Sequence, residues 1–298
     1  METIIDNTNI SKHLGQKSPR IEQYTPSLLV RELRQNNRQK LEITNDINPP
    51  FVGYDSWLLW EISGLMDNGL PFTALGKLVY ACNNKYIVES KSLKLYFNSF
   101  NMTKLGKTKD IAMNELRKLA IKDLSNLLET SVDFELFDSE STKNVIPFTN
   151  FNRIEDQFTP TCSIYKENKS ILRKVPGNPG NGCRFTVYTT LLKSNCMITF
   201  QKDEGTLYID YTASESTINI LSLLEYIVSF RNVNEFHEST LETIFTRLNE
   251  TYKPSRLMVA ALYCRRGGIA ITPIRALSKK DLPENIINPC IWSQTIRQ

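Results

Sequence analysis

Two rhythms of apolar and polar residues alternate along this chain, one of period two and one near 3.6, and the change between them occurs twice. Up to about Pro50 there is little rhythm at all. That segment is rich in Asn, Gln, Ser and charge, which reads as a mobile tail followed by an arm that packs on the body. Apolar residues gather from Phe51. "LPFTALGKLVYACNN" is strand-like up to a turn at Asn83-Asn84, and Glu89-Ser90 looks like the entry to a short helix in "ESKSLKLYFNSFN". "KDIAMNELRKLAIKDLSNLLE" sets Ala112, Leu116, Leu119, Ala120, Leu124 and Leu127 on one helical face, and "SVDFELFD" alternates as a strand.

The second half repeats that order more cleanly. "CRFTVYTTLLKSNCMITFQ" and "GTLYIDYTA" form a predicted hairpin, and "SESTINILSLLEYIVSF" a helix opened by Ser and Glu capping residues. "ESTLETIFTRLNETY" spaces Leu241, Ile244, Phe245, Leu248 and Tyr252 as a second helix, stopped by Pro254. "RLMVAALYCRRGGIAITPIRAL" reads as two strands hinged at Gly267-Gly268. The expectation is an α+β protein of two tandem ββααββ units with antiparallel sheets. The boundaries are a tail and arm at 1–50, a first lobe at 51–164, a linker or exposed loop at 165–183 and a second lobe at 184–298. Within that loop "GNPGNG" matches neither common phosphate-loop pattern, and no periodic helix follows it.

Composition narrows the function classes. A net charge of +4 over 298 residues permits anionic small molecules but lacks the basic stripe of a tRNA-binding protein. No apolar run suits a membrane span, and the polar first residues carry no signal-peptide core, so a cytoplasmic protein is expected. Six scattered cysteines argue for free thiols, and with His13 and His237 as the only histidines no metal site is expected.

Four stretches carry candidate chemistry, each with a plainer alternative. Cys196 is either a small core hydrophobe or a nucleophile favoured by the polar run Lys193-Ser194-Asn195, with Asp203 as an acid just beyond. His237-Glu238 either belongs to a helix start or faces a ligand, the Glu238 carboxylate then accepting two parallel N–H donors from a guanine-type edge. Lys91 and Lys94 at a helix start, and Arg265-Arg266 before the Gly-Gly turn, are either solvated charges or phosphate contacts.

Taken together, "ESKSLKLYFNSFN", "LLKSNCMITFQ", "YIVSFRNVNEFHE" and "RRGGIAITP" resemble, in the right order, the signature segments of the NADPH-dependent 7-cyano-7-deazaguanine reductases in their long, two-lobed form. These are the nitrile reductases of queuosine biosynthesis, a tRNA modification. The resemblance implies the tunnelling fold, a homodimer and NADPH as cofactor. It makes Cys196 the nucleophile and Asp203 the proton donor, with His237 assisting a proton transfer or orienting substrate. Val88, Glu89, Ser90, His237 and Glu238 correspond to the substrate pocket, and Ser90, Lys91, Arg266 and Gly267 to the cofactor contacts. Where the family reads Q-P-D-W-G this chain has "QKDEG", and "VYTTLLKSNC" lacks two histidines usual before the cysteine. The implied mechanism needs Asp203 protonated when the nitrile is attacked, so a raised pKa in a dry pocket is expected. The rival readings are a zinc-dependent cyclohydrolase-type enzyme, for which ligands are lacking, and a non-catalytic purine-binding module.

Overall fold

A computed structural model describes residues 21, 23–175, 182–214 and 216–298. The candidate phosphate loop and the first 20 residues therefore lie almost wholly outside the described residues.

The arm contributes β1 (Arg31–Leu33) and α1 (Gln35–Arg38). The first half then runs β2 (Val52–Leu65), β3 (Pro71–Ala81), β4 (Tyr86–Val88), α2 (Ser90–Asn98), α3 (Lys109–Leu128) and β5 (Val132–Phe137). After β6 (Asn152–Arg153) and β7 (Lys174–Val175), the second half runs β8 (Arg184–Asn195), β9 (Lys202–Thr212), β10 (Thr217–Ile218), α4 (Ile220–Val228), α5 (His237–Tyr252), β11 (Arg256–Tyr263) and β12 (Ile269–Ala276), and α6 (Glu284–Ile287) follows. The second half thus shows the expected order, with a two-residue β10 added before its helices. The first half closes its helix pair with β5 alone. The polar, proline-bearing chain after β5 forms no long strand and crosses to the far side, where β6 pairs with β8.

Strands of both halves join one eight-stranded sheet in the order β5-β3-β2-β12-β11-β9-β8-β6. All its pairs are antiparallel except β6–β8. The halves meet along β2 and β12, in register from Leu59 opposite Ile269 to Val52 opposite Ala276.

Both helix pairs cover one face of this sheet. Leu116, Ala120 and Leu124 of α3 pack with Trp57, Leu78 and Phe134 in one core, and Leu241, Ile244, Phe245 and Leu248 of α5 pack with Leu207, Val259 and Ala261 in a second. Each large apolar side chain so enclosed contributes roughly 1.5–3 kcal/mol. The other face carries Tyr208, Met258 and Ile274, covered by Leu282 and Ile286 near the C-terminus. No helix among the described residues is long and apolar enough to cross a membrane.

Two local expectations change. Helix α4 begins at Ile220 with Asn219 as its cap, whose side chain accepts from Ser222 N at 3.0 Å. Thr217-Ile218, expected inside that helix, pairs as β10 with β7. Within the expected linker, Ile171 and Leu172 are buried in the second-half core.

Candidate active site

Helix α2, the β8–β9 turn, the start of α5 and the β11–β12 turn converge on one cleft of about 340 Å³. Ser90, Lys91 and Lys94 line it from the first half. Cys196, Gln201, Asp203, His237, Tyr263, Cys264, Arg266 and Gly267 line it from the second.

Local rules place each group. β8 ends at Asn195, so Cys196 opens the turn to β9 rather than lying in a buried strand; its N–H donates to the Gln201 carbonyl at 2.8 Å. Lys91 follows the first residue of α2, and its Nζ lies 3.6 Å from Cys196 Sγ. Burial pushes the Cys196 thiol up, but the Thr199 hydroxyl, the amides of Ile198 and Thr199, and Lys91 outweigh it and hold the thiol below its ordinary range. The sulfur thus sits where a thiolate is favoured.

Asp203 is opposite Ser194 in the β8–β9 pairing, which turns its side chain toward the same end of the hairpin as Cys196. It is 3% exposed. His237 Nε2 stands 3.6 Å from Asp203 Oδ1, and the His237 ring meets Tyr263 edge-on at 4.1 Å between centroids. Arg266 donates to the same carboxylate oxygen and to the side chain of Gln201, and reaches the Lys202 carbonyl at 3.1 Å.

The β11–β12 turn lets Arg266 approach. Gly267 has φ +57°, and a Cβ there would stand 2.7 Å from Lys94 Nζ. Three cations, Lys91, Lys94 and Arg266, therefore face one cleft, with the Lys94 side chain lying close over Gly267. That donor set suits phosphate oxygens.

The remaining candidates stand behind the cleft wall. Val88 ends β4 and is buried. Glu89 caps α2, its carboxylate accepting from Lys91 N at 3.0 Å and Ser92 N at 2.6 Å. Glu238, in the first turn of α5, is buried too, and burial together with the nearby charge of Asp55 raises its carboxyl to about 7. Its Oε1 has no hydrogen-bond partner among the described residues. An unpartnered buried carboxylate oxygen marks a place fit for a polar donor.

Comparison with known proteins points the same way. A family profile described as the N-terminal part of nitrile reductase, 7-cyano-7-deazaguanine-reductase, matches residues 20–136, and a second, described as QueF-like protein, matches residues 202–281. The NADPH-dependent 7-cyano-7-deazaguanine reductase of Buchnera aphidicola subsp. Schizaphis graminum is 37% identical over 82% of this chain and 89% of its own. The chain belongs to this family. The reductases of that name from a Polaromonas species and from Dechloromonas aromatica are each 35% identical, over 94% and 95% of this chain and 98% and 96% of theirs. One solved structure, the apo form of the archaeosine synthase QueF-Like, is matched over 35% of this chain at 14% identity and a TM-score of 0.29, too slight a likeness to bear on the fold.

This reductase is an oxidoreductase whose sequence candidates divide in two. Cys196, Asp203, His237, Ser90, Lys91, Arg266 and Gly267 share the cleft, whereas Val88, Glu89 and Glu238 lie behind it. Asp203 departs from its expected raised pKa. Burial alone would push it up, but His237 and Arg266 outweigh burial and hold it below the ordinary carboxylate range. Tyr263, Gln201 and Cys264 also line the cleft; none was singled out from the sequence, although Gln201 opens the "QKDEG" run.

Proposed function

We propose that this cleft reduces the nitrile of 7-cyano-7-deazaguanine to an aminomethyl group through a thioimide on Cys196, as a step of queuosine biosynthesis. The observation that carries the reading is the Cys196 thiol, held toward thiolate beside Lys91, in one cleft with the Asp203–His237 pair.

A nitrile carbon is a weak electrophile, and covalent attachment divides a hard step into easier ones. The Cys196 sulfur adds to that carbon while the Asp203–His237 pair delivers one proton to the nitrogen, giving a neutral thioimide. NADPH, which Ser90, Lys91, Arg266 and Gly267 would hold, would supply one hydride to the thioimide carbon and another to the imine carbon left when the sulfur departs. Between them Cys196 leaves as thiolate, and the same pair returns protons to nitrogen. Arg266 and His237 hold Asp203 below the ordinary carboxylate range in the free protein, so the pair takes up the proton it delivers only once substrate has displaced water from the cleft.

Glu238 and Glu89 recognise the deazaguanine, Glu238 accepting its ring N–H and exocyclic amino donors, with Val88, Ser90 and His237 beside it. Ser90, Lys91, Arg266 and Gly267 hold the cofactor phosphates, which agrees with the three cations gathered at the turn. Two lobes on a tunnelling fold, a homodimer and a cytoplasmic location complete the reading, without direct tRNA contact.

Intact-protein mass after mixing with 7-cyano-7-deazaguanine, NADPH being absent, tests it. Wild type is expected to gain one substrate mass and Cys196→Ala none. Tight binding by calorimetry with no adduct on wild type would instead make the chain a purine-binding module.

A further inference from the structure

Behind Glu238 lies a closed lattice of charge that the proposed chemistry does not use. The arm supplies Arg34 and Arg38, β2 supplies Asp55, α5 supplies Glu242 and β12 supplies Arg275, all buried. Glu242 accepts from Arg38 Nε and Nη2 at 2.9 and 2.8 Å and from Arg275 Nε and Nη2 at 3.0 and 2.8 Å. Asp55 lies between Arg34, which donates to it, and Arg275, whose Nη1 is 2.9 Å from it. Arg38 also reaches Asp46 at 3.1 Å.

Three guanidinium groups thus meet three carboxylates, and Glu238, one helical turn before Glu242, is a fourth carboxylate with no cation assigned to it. The groups facing Glu238 are Asp55 on β2, Arg34 on the arm, His237 on its own helix, Tyr80 on β3 and Tyr263 on β11. Of these Arg34 is the permanent cation. Its Nη1 stands 3.8 Å from Glu242 Oε1, one turn beyond Glu238, and like Oε1 of Glu238 it has no hydrogen-bond partner among the described residues.

We propose that Arg34 is a positioning residue for substrate recognition: from the arm it neutralises Asp55, so that the Glu238 carboxylate can ionise and accept the paired N–H donors of the substrate. This rests on the reading of Glu238 as a substrate contact. The arm is thereby part of the site rather than a cover for the body. It also pins the other wall, since Glu89 N donates to Val30 O at 2.9 Å and Val30 N donates to Ser92 Oγ at 3.0 Å.

The test is calorimetric titration of 7-cyano-7-deazaguanine without cofactor, between about pH 5.5 and 8.5, on wild type, Arg34→Met, Arg34→Lys and Asp55→Asn, each checked by thermal melting. Wild-type affinity is expected to rise through pH about 7 as Glu238 ionises. Arg34→Met should move that midpoint up by about one unit, weakening binding roughly fivefold at neutrality and about tenfold at lower pH, and Asp55→Asn should move it down. Arg34→Lys, which keeps the charge, should stay near wild type. If Arg34→Met does not fold, the downward shift in Asp55→Asn still decides. An unmoved midpoint in the folded variants, whatever the loss of affinity, would overturn the proposal and leave Arg34 a structural residue. A wild type that binds at no pH would instead bring down the functional reading beneath it.

Discussion

Arg266 donates to the Asp203 carboxylate, so the candidate acid carries a cation against it in the free protein. The same guanidinium faces the cleft where the cofactor phosphates are proposed to lie. Replacing it separates the two roles. In Arg266→Gln, Asp203 loses a charge-assisted contact of about 1.5–3 kcal/mol and its pKa should rise. Adduct formation without NADPH should then extend to higher pH, while KM for NADPH increases about tenfold or more. Rapid-mixing mass spectrometry across pH, beside steady-state cofactor titration, checks both. An unchanged adduct profile would remove Arg266 from control of the proton.

Thiol reactivity reads out the environment of Cys196. Lys91→Met and Thr199→Val should each raise the pH midpoint for alkylation of this thiol, because each removes a group that favours thiolate. Cys196→Ala should abolish turnover while leaving the melting temperature within a few degrees, the residue being in a turn and half-buried. Pseudo-first-order alkylation rates against pH give the midpoints.

Glu242 binds its arginines so well that its carboxyl falls from an ordinary 4.5 to about 2. Its contribution to stability is complete above 4.5 and is lost as pH falls toward 2, so acid unfolding should be steep across that interval. Glu242→Gln strands Arg38 and Arg275 without their shared anion, and a loss of about 3–5 kcal/mol is expected at neutral pH. Urea unfolding at several pH values measures it.

Glu238 works in the opposite sense. Its carboxyl rises from 4.5 to about 7, so the folded chain holds this proton more tightly than the unfolded one, and stability falls as pH climbs between those values. Glu238→Gln removes that penalty. The variant should gain on the order of 2 kcal/mol at pH about 8 and little at pH about 5, while losing most affinity for substrate. A variant that binds normally would exclude Glu238 from recognition.

Much of the fold was legible because its signals are local. The spacing of Ala112, Leu116, Ala120 and Leu124 set the buried face of α3, whereas the strand expected to run on through Cys196 stops at Asn195. What was not legible depends on distant pairing. Arg34 and Arg38 sit in a polar arm where nothing local singles them out, and Arg38 is buried against Glu242, 204 residues later. Tyr263 was hidden for a similar reason, since only the register of β11 against β9 brings it to the cleft. At α4 a local signal lost to tertiary pairing, the β7–β10 bridge claiming Thr217-Ile218 before Asn219 could open the helix. Asp203 misled because burial was weighed without the cations around it.

The seam between β2 and β12 carries one more consequence, for the order in which the protein becomes reactive. Lys91 lies in the half made first, Cys196 and Arg266 in the half made last, and β12 must be in place before the first sheet has its neighbour. A nascent chain that has folded only its first half holds Lys91 without Cys196. The two meet only when β12 has joined the halves, so neither half alone carries the reactive centre.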